Sequence, residues 1–505
     1  MKTNSNWKLG AAVGTALSLG SGAAVAGPHG FDLHNVFHGA SASMAGTSIA
    51  HVEDPVSAIF GNPATLTSYY GGTNFMFGAT FYMPRARMQH DGSAGYATQL
   101  HGSYVKGTDT AGDGALAASS QTFDSTSKAD VYAVPTIGVT QDLTGLGIPV
   151  VLGVGVSATS GIGVDYKHSS NSLGAAAELI NLGVNAGIGM SMSPNLDVGV
   201  SATITYAMLE AGLTGSGGMT HDIGFRATMG GRYKMGPMTL GAYVQTEQPH
   251  EYDNLHVTSL HGTKPFQGLT AGGMHASVDC NGDSVSNYVG VCRQDVRVEQ
   301  PMNIGLGFSH SGFMNGNLTV MADFTHKAWS DAQFFNEFYE DQEVYSVGLQ
   351  LTQGNMKWRL GYGYADDPLL ATVQEGKHIA TIGGINNSGE TYTSPMYGLF
   401  MSYFQAMETP VIYKHRITAG LGMESFLGVP FLSLDTHVAF QLEEDKCFGA
   451  GQDGLTDATT RYETGSTARG ISLTGTADVA GCAIKDHTKA TVSSFHLGGA
   501  LTWTF

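Results

Sequence analysis

The stretch Ser493–Phe505 repeats with a period of two: Phe495, Leu497, Gly499, Leu501, Trp503 and Phe505 fall on one face, Ser494, His496, Gly498, Ala500, Thr502 and Thr504 on the other. Successive side chains of a strand point to opposite sides, so this is a strand with one large apolar face and one small, hydrated face. Trp503 and Phe505 suit the aromatic girdle where a membrane strand meets the interface. A half-buried strand of a soluble sandwich shows the same alternation, so the rest of the chain has to decide.

The theme recurs from Thr73 onward. Val198, Val200, Ala202, Ile204, Tyr206 and Met208 oppose Asp197, Ser201, Thr203 and Thr205; Ile304, Leu306 and Phe308 oppose Asn303, Gly305 and Ser309. Trp358, Leu360, Tyr362 and Tyr364 oppose Arg359, and Leu432, Leu434, Val438, Phe440 and Leu442 oppose Asp435, His437 and Gln441. Over 411–424, Val411, Tyr413, Ile417, Leu421 and Met423 are expected to share the apolar face against Lys414, Arg416 and Glu424. The connections separate the two readings. Short turns at Pro194-Asn195, Gly236-Pro237, Gly354-Asn355 and Gly428-Val429 alternate with long polar loops near 84–126, 256–297, 368–408 and 444–490. Short turns at one rim and long loops at the other mark an outer-membrane barrel. The expected fold is all-β, an antiparallel barrel of about 14 strands spanning residues 71–505, an even number as such barrels require.

Leu143–Val164 carries no charge and is long enough for a membrane helix. Pro149 and the repeated glycines argue against one, and Leu152, Val154, Val156 and Ala158 alternate with Gly153, Gly155, Ser157 and Thr159, which predicts the third strand. Glycine makes up 70 of 505 residues, which suits curving strands and an open lumen. The net charge of -18 argues against a nucleic-acid partner, and a mean hydropathy of -0.03 against a helical membrane protein.

Residues 1–26 have the form of a signal peptide: Lys2 and Lys8, the apolar run Leu9–Gly20, then Ala24-Val25-Ala26. Export to an oxidising compartment makes disulfides the expected state of the four cysteines, with Cys280 paired to Cys292 and Cys447 to Cys482 by proximity within one loop. Residues 27–70 show no strand pattern and form a separate N-terminal segment.

That arrangement, with Gly30-Phe31-Asp32-Leu33, Asn62-Pro63-Ala64, Val134-Pro135, Lys327-Ala328-Trp329-Ser330 and Asp366-Asp367-Pro368 in this order, resembles the FadL/TodX family of outer-membrane transporters for long-chain fatty acids and aromatic hydrocarbons. The resemblance implies that residues 27–70 are a hatch inside the lumen and that the partners are a hydrophobic small molecule, outer-membrane lipids and lipopolysaccharide. It further implies a monomer without cofactor that works by passive uptake and not as an enzyme. It places Phe31 in the ligand pocket with Asn62, Pro63 and Ala64 in the hatch, Asn62 bonding the chain near a kink in the third strand. A lateral opening is expected at that kink, with Pro135 lacking a donor and Thr159, Ser160, Gly161 and Gly163 allowing the bend. Fatty-acid members hold the carboxylate with basic residues where this chain has Leu209-Glu210-Ala211-Gly212 and Phe334-Phe335-Asn336, so a neutral solute is expected, with Lys327 the one cation within reach.

Other residues have plainer readings. His34 and His38 share a helical spacing but lack a third metal ligand, and Asp279, Asn281 and Asp283 lack the remaining positions of a calcium loop, so no metal site is expected. Arg226, Arg232, Arg359, Lys414, Arg416, Asp197, Asp323 and Asp435 are expected to form an ion-pair network holding the hatch. The alternatives are a barrel-embedded lipid hydrolase built on Ser309-His310, which lacks a nucleophile elbow, and an open porin or adhesin, which would not need the plug.

Overall fold

The computed structural model describes residues 35–90, 123–129, 131–169, 175–211, 219–258, 276–278, 284–288, 292–337, 339–369, 410–448 and 488–505. Fourteen long strands form the wall: β1 Thr73–His90, β2 Tyr132–Asp142, β3 Val151–Asp165, β4 Ala176–Ser193, β5 Leu196–Ala211, β6 Thr220–Met235 and β7 Met238–Gln245, then β8 Asn303–Phe313, β9 Leu318–Lys327, β10 Gln342–Gln353, β11 Met356–Ala365, β12 His415–Met423, β13 Leu432–Phe448 and β14 Thr488–Thr504. Each pairs antiparallel with the next, and β14 pairs with β1 from Asn74↔Thr504 to His90↔Thr488, so the sheet closes on itself. A short strand, Phe123–Thr126, adds to the far end of β1. Among the described residues no helix is long and apolar enough to cross a membrane, and Leu143–Val164 supplies β3 instead.

The alternation read from the sequence is carried by the wall. Phe81, Ile204, Leu306, Leu360 and Phe440 stand outward and exposed, while Thr80, Thr203, Arg359, Gln441 and His496 are buried in the lumen. Large apolar side chains on the outside and polar ones inside are the inverse of a soluble core, which identifies the outer surface as a lipid-facing one. At the short-turn rim Phe75 lies against Trp503 with ring centroids 5.9 Å apart, and Phe431 stacks on Phe505 at 6.4 Å.

Three details differ from the sequence reading. Val411 and Tyr413 are buried inside ahead of β12, which begins only at His415, so the alternation there runs past the end of the strand. The strands also reach further into the long connections than their composition suggests, β1 to His90 and β13 to Phe448. The region expected as a loop over 256–297 contributes strand at both ends: Gln248–Thr258 and Cys292–Gln300 pair as a hairpin that continues β7 and β8. Cys280 and Cys482 lie outside the described residues, as do the side chains of Cys292 and Cys447, the signal region, Phe31, His34 and the Asp279–Asp283 run.

The outer face generates a direct test. Leu360→Arg places a cation in lipid contact and is expected to lower stability by about 2–4 kcal/mol if it lies near the bilayer midplane. Urea-dependent loss of the heat-modifiable folded band in liposomes measures this.

Candidate functional site

Residues 35–70 fill the short-turn half of the lumen as two helices, α1 Gly39–Ala42 and α2 Pro55–Phe60, followed by a 3-10 segment, Pro63–Tyr69. Asp54 holds this hatch together: its carboxylate accepts from Ser57 N (2.8 Å), Ser57 Oγ (2.9 Å), and the amides of Ala40 and Ser41 (both 3.1 Å). One side chain thus caps α2 and ties α1 to it. Asn62 caps the 3-10 segment through its Oδ1 on Ala64 N, and its amide donates to Ile49 O (2.8 Å) and Gly231 O (3.1 Å). The Asn-Pro-Ala turn is therefore anchored to β6, not to the third strand as the sequence reading placed it. Pro63 and Ala64 press against the wall, where Gly199 lies so close that a Cβ would meet the Pro63 carbonyl.

Polar wall residues grip the hatch from several sides. Asp323 Oδ2 accepts from Ser48 N (2.7 Å) and Ile49 N (3.0 Å). Arg232 bridges Asp197 (2.8 Å) to Thr67 Oγ1 and Ser68 Oγ (both 2.7 Å). Arg416 donates to Val36 O (2.7 Å), and Arg359 joins Asp435 (2.5 Å) to Glu53 (3.7 Å). The expected ion-pair network is thus only partial: among the described residues Asp323 and Arg416 bind hatch backbone groups, Lys414 makes no side-chain bond, and the Arg226 guanidinium holds the carbonyls of Thr246 and Pro301, where β7 and β8 bend into their hairpin.

Above the hatch the lumen holds an apolar cluster. Phe37, Tyr82, Tyr132, Ile162, Leu179 and Trp329 belong to one buried cluster, which Tyr252, Val296 and Val298 of the inward-bent hairpin join. The hairpin escaped the sequence reading, although Gln248, His250 and Tyr252 already alternate with Glu251 and Asp253. At the positions compared with the fatty-acid carriers, Leu209 and Phe335 join this cluster, Glu210 is paired to Lys167 (2.8 Å), and Lys327 is buried and already engaged.

The ladder of the wall stops early between β2 and β3, as it also does between β6 and β7, which pair only from Thr228↔Gln245 to Met235↔Met238. β2 and β3 pair from Asp142↔Val151 to Thr136↔Ser157 and no further. Beyond that point Tyr132–Pro135 stay bound to β1, and Ser160–Asp165 stay bound to β4. Pro135, the first residue past the last pair, has no N–H to offer. Thr159 is an extra residue, a bulge between Ala158↔Leu182 and Ser160↔Asn181. A bulge bends its strand and reverses the facing of every later residue in it. Ile162 and Val164, which would continue the lipid face of Leu152 and Val154, are thereby turned inward and buried. The break ends at the loop side, where Lys128 N donates to Asp165 O (2.8 Å) and Ser127 Oγ accepts from Asp165 N (2.9 Å). Tyr132 lies against Gly163, where an added Cβ would collide with its hydroxyl. The break is therefore flanked by the buried side chains Tyr132, Ile162 and Val164, which belong to the apolar cluster. Pro135, Thr159, Ser160, Gly161 and Gly163 all lie along it.

No family model matches the chain, and no curated protein sequence matches it. Solved structures do. The Pseudomonas putida toluene transporter TodX superposes with a TM-score of 0.54 at 15% identity, over 94% of this chain and 99% of its own. A Pseudomonas aeruginosa FadL homologue gives 0.55 at 13%, over the same shares, and the Ralstonia pickettii toluene transporter TbuX gives 0.51 at 14%. The chain has the FadL/TodX fold. That fold explains why the hatch sits upstream of the first strand and yet inside a ring closed by the last one.

Two chemical candidates lie elsewhere on the wall. Ser309 faces the lumen and His310 the other side of β8, as neighbours on a strand must, so they do not form a nucleophile–base pair. His38 Nε2 lies 2.9 Å from Ser157 Oγ, at the last residue of the paired β2–β3 ladder.

Burial alone would raise the Glu53 carboxyl. The hydrogen bond from His51 and the charges of Lys357 and Arg359 reverse this and hold it well below the usual carboxylate range. Its contribution to hatch seating is thus fully present above about pH 4.3, the ordinary glutamate value. It is lost only as pH falls through the depressed value. Glu53→Gln is expected to let small ions leak at neutral pH, a state the parent reaches only in strong acid. Conductance in planar bilayers distinguishes the two. Arg359→Met strands the Asp435 carboxylate, while Glu53 keeps Lys357 and His51, and should cost about 3–5 kcal/mol.

Proposed function

We propose that this chain is an outer-membrane channel for passive uptake of hydrophobic compounds, which leave sideways into the bilayer between β2 and β3. One observation carries the reading: the break in the β2–β3 ladder above Thr136 and Ser157, flanked by side chains of the apolar cluster above the hatch. In hydrocarbon an unpaired strand edge costs several kcal/mol per polar group, so a ladder that stops within the wall calls for a reason. An apolar solute gains about 25 cal/mol per Å² on leaving water, enough to draw it in with no energy source. The toluene channels of like fold support a hydrocarbon-sized cargo. The bent strand, the missing donor of Pro135 and the apolar jambs Tyr132, Ile162 and Val164 support the lateral route.

The solute is neutral on this reading, because Leu209 and Phe335 stand where a carboxylate would need cations. Mass spectrometry of what co-purifies in the lumen is expected to find an uncharged apolar molecule. Recovery of fatty-acid anions alone would reverse the substrate assignment.

Gly163→Leu is expected to wedge against Tyr132 and bring uptake of labelled hydrocarbon close to that of cells without the barrel, with the heat-modifiable folded band retained. Undiminished uptake in a folded Gly163→Leu barrel would exclude the lateral route.

A further inference from the structure

On the lumen face beside the break, two strands carry matched rows of side chains. Val164 lies opposite Ala177 and Ile162 opposite Leu179; then Ser160 lies opposite Asn181. The first two pairs belong to the apolar cluster, and the third ends it. Ser160 and Asn181 are 2% and 0% exposed, yet Ser160 Oγ and both Asn181 side-chain atoms have no hydrogen-bond partner among the described residues. An unmet buried polar atom costs about 1–3 kcal/mol, so three side by side call for a polar group to meet them. The next residues along β3, Ala158 and Thr159, line a cavity of about 30 Å³ whose other walls include Asn35 and His38 of the hatch.

We propose that Ser160 and Asn181 form a recognition point for a single uncharged hydroxyl or carbonyl group on an otherwise apolar ligand, a phenol or an aromatic alcohol. This rests on the transport reading above and narrows its substrate class. An amide beside a hydroxyl offers both a donor and an acceptor, which a phenolic O–H satisfies in one contact. The ring then lies along Ile162, Val164 and Leu179, which the bulge at Thr159 has turned inward. A carboxylate is disfavoured. The cation bordering the cavity, Arg226, is committed to the carbonyls of Thr246 and Pro301, and a buried anion without a partner is costly. A site built to hydrogen-bond a hydroxyl also discriminates against the analogue that lacks it.

The test compares three probes with one tail: para-hexylphenol, hexylbenzene and para-hexylbenzoate. Initial uptake is measured in cells carrying the intact barrel, Asn181→Ala, Ser160→Ala or Asn181→Ser. The intact barrel is expected to half-saturate with the phenol at about tenfold lower concentration than with hexylbenzene, the worth of one well-placed hydrogen bond. Asn181→Ala should abolish that advantage without slowing hexylbenzene, Ser160→Ala should reduce it, and Asn181→Ser should restore part of it. Heat-modifiable migration confirms folding, and Ser160→Ala carries the test should Asn181→Ala not fold. A phenol preference unchanged in the folded alanine variants would mean that the pair serves bound water only, and would overturn the proposal. So would uptake of the benzoate equal to that of the phenol. If neither phenol nor hexylbenzene enters faster than into cells without the barrel, the transport reading itself fails and takes this inference with it.

Discussion

In hydrocarbon no water is present to satisfy a bare N–H or C=O, and the whole structure follows from that restriction. It demands that every wall strand have two neighbours, which the β14–β1 pairing completes. It demands apolar side chains outward, which leaves the polar ones no place but the lumen. Once there, those polar groups need partners, and the hatch supplies them: backbone amides for Asp323, hydroxyls for Arg232, a carboxylate for Arg359 and a carbonyl for Arg416. The plug is thus a counterpart to the wall's inner chemistry as well as an obstruction.

Glycine sets how tightly the two can fit. At Gly230 a side chain would run into the Asn62 amide group, at Gly241 into the Ile49 carbonyl, and at Gly361 into the main chain between Met44 and Ala45. Seen in composition alone, such residues suggest curvature and an open lumen. In the folded chain they do the reverse, letting wall and plug backbones approach until little space remains between them.

The wall was legible from the sequence because its period of two is enforced on every strand by the contrast between lipid and lumen. The hatch was legible only as a stretch without that period. Its anchoring was not, since main-chain donors such as Ser48 N and Ile49 N leave no trace in residue identity. Asn62 illustrates the point: its side chain was expected to bond the chain near the third strand, but which strand its amide reaches depends on how the plug is rotated. Val411 and Tyr413 misled for a simpler cause, as an apolar alternation outside the bilayer can just as well line the greasy lumen. The inward hairpin was hidden by length, because a polar connection between two strands does not announce that it turns back into the barrel.

The extra residue at Thr159 acts on β3 much as a frameshift acts on a message. Before it, even-numbered positions belong to the membrane; after it, the same parity belongs to the interior. A gene that lost this one codon would set Ser160 directly after Ala158 and leave Ile162 and Val164 inward against Leu179 and Ala177, so what it would take away is the bend. Bending or straightening such a wall can therefore be a matter of insertion and deletion, with the inward set beyond the bend left as it was.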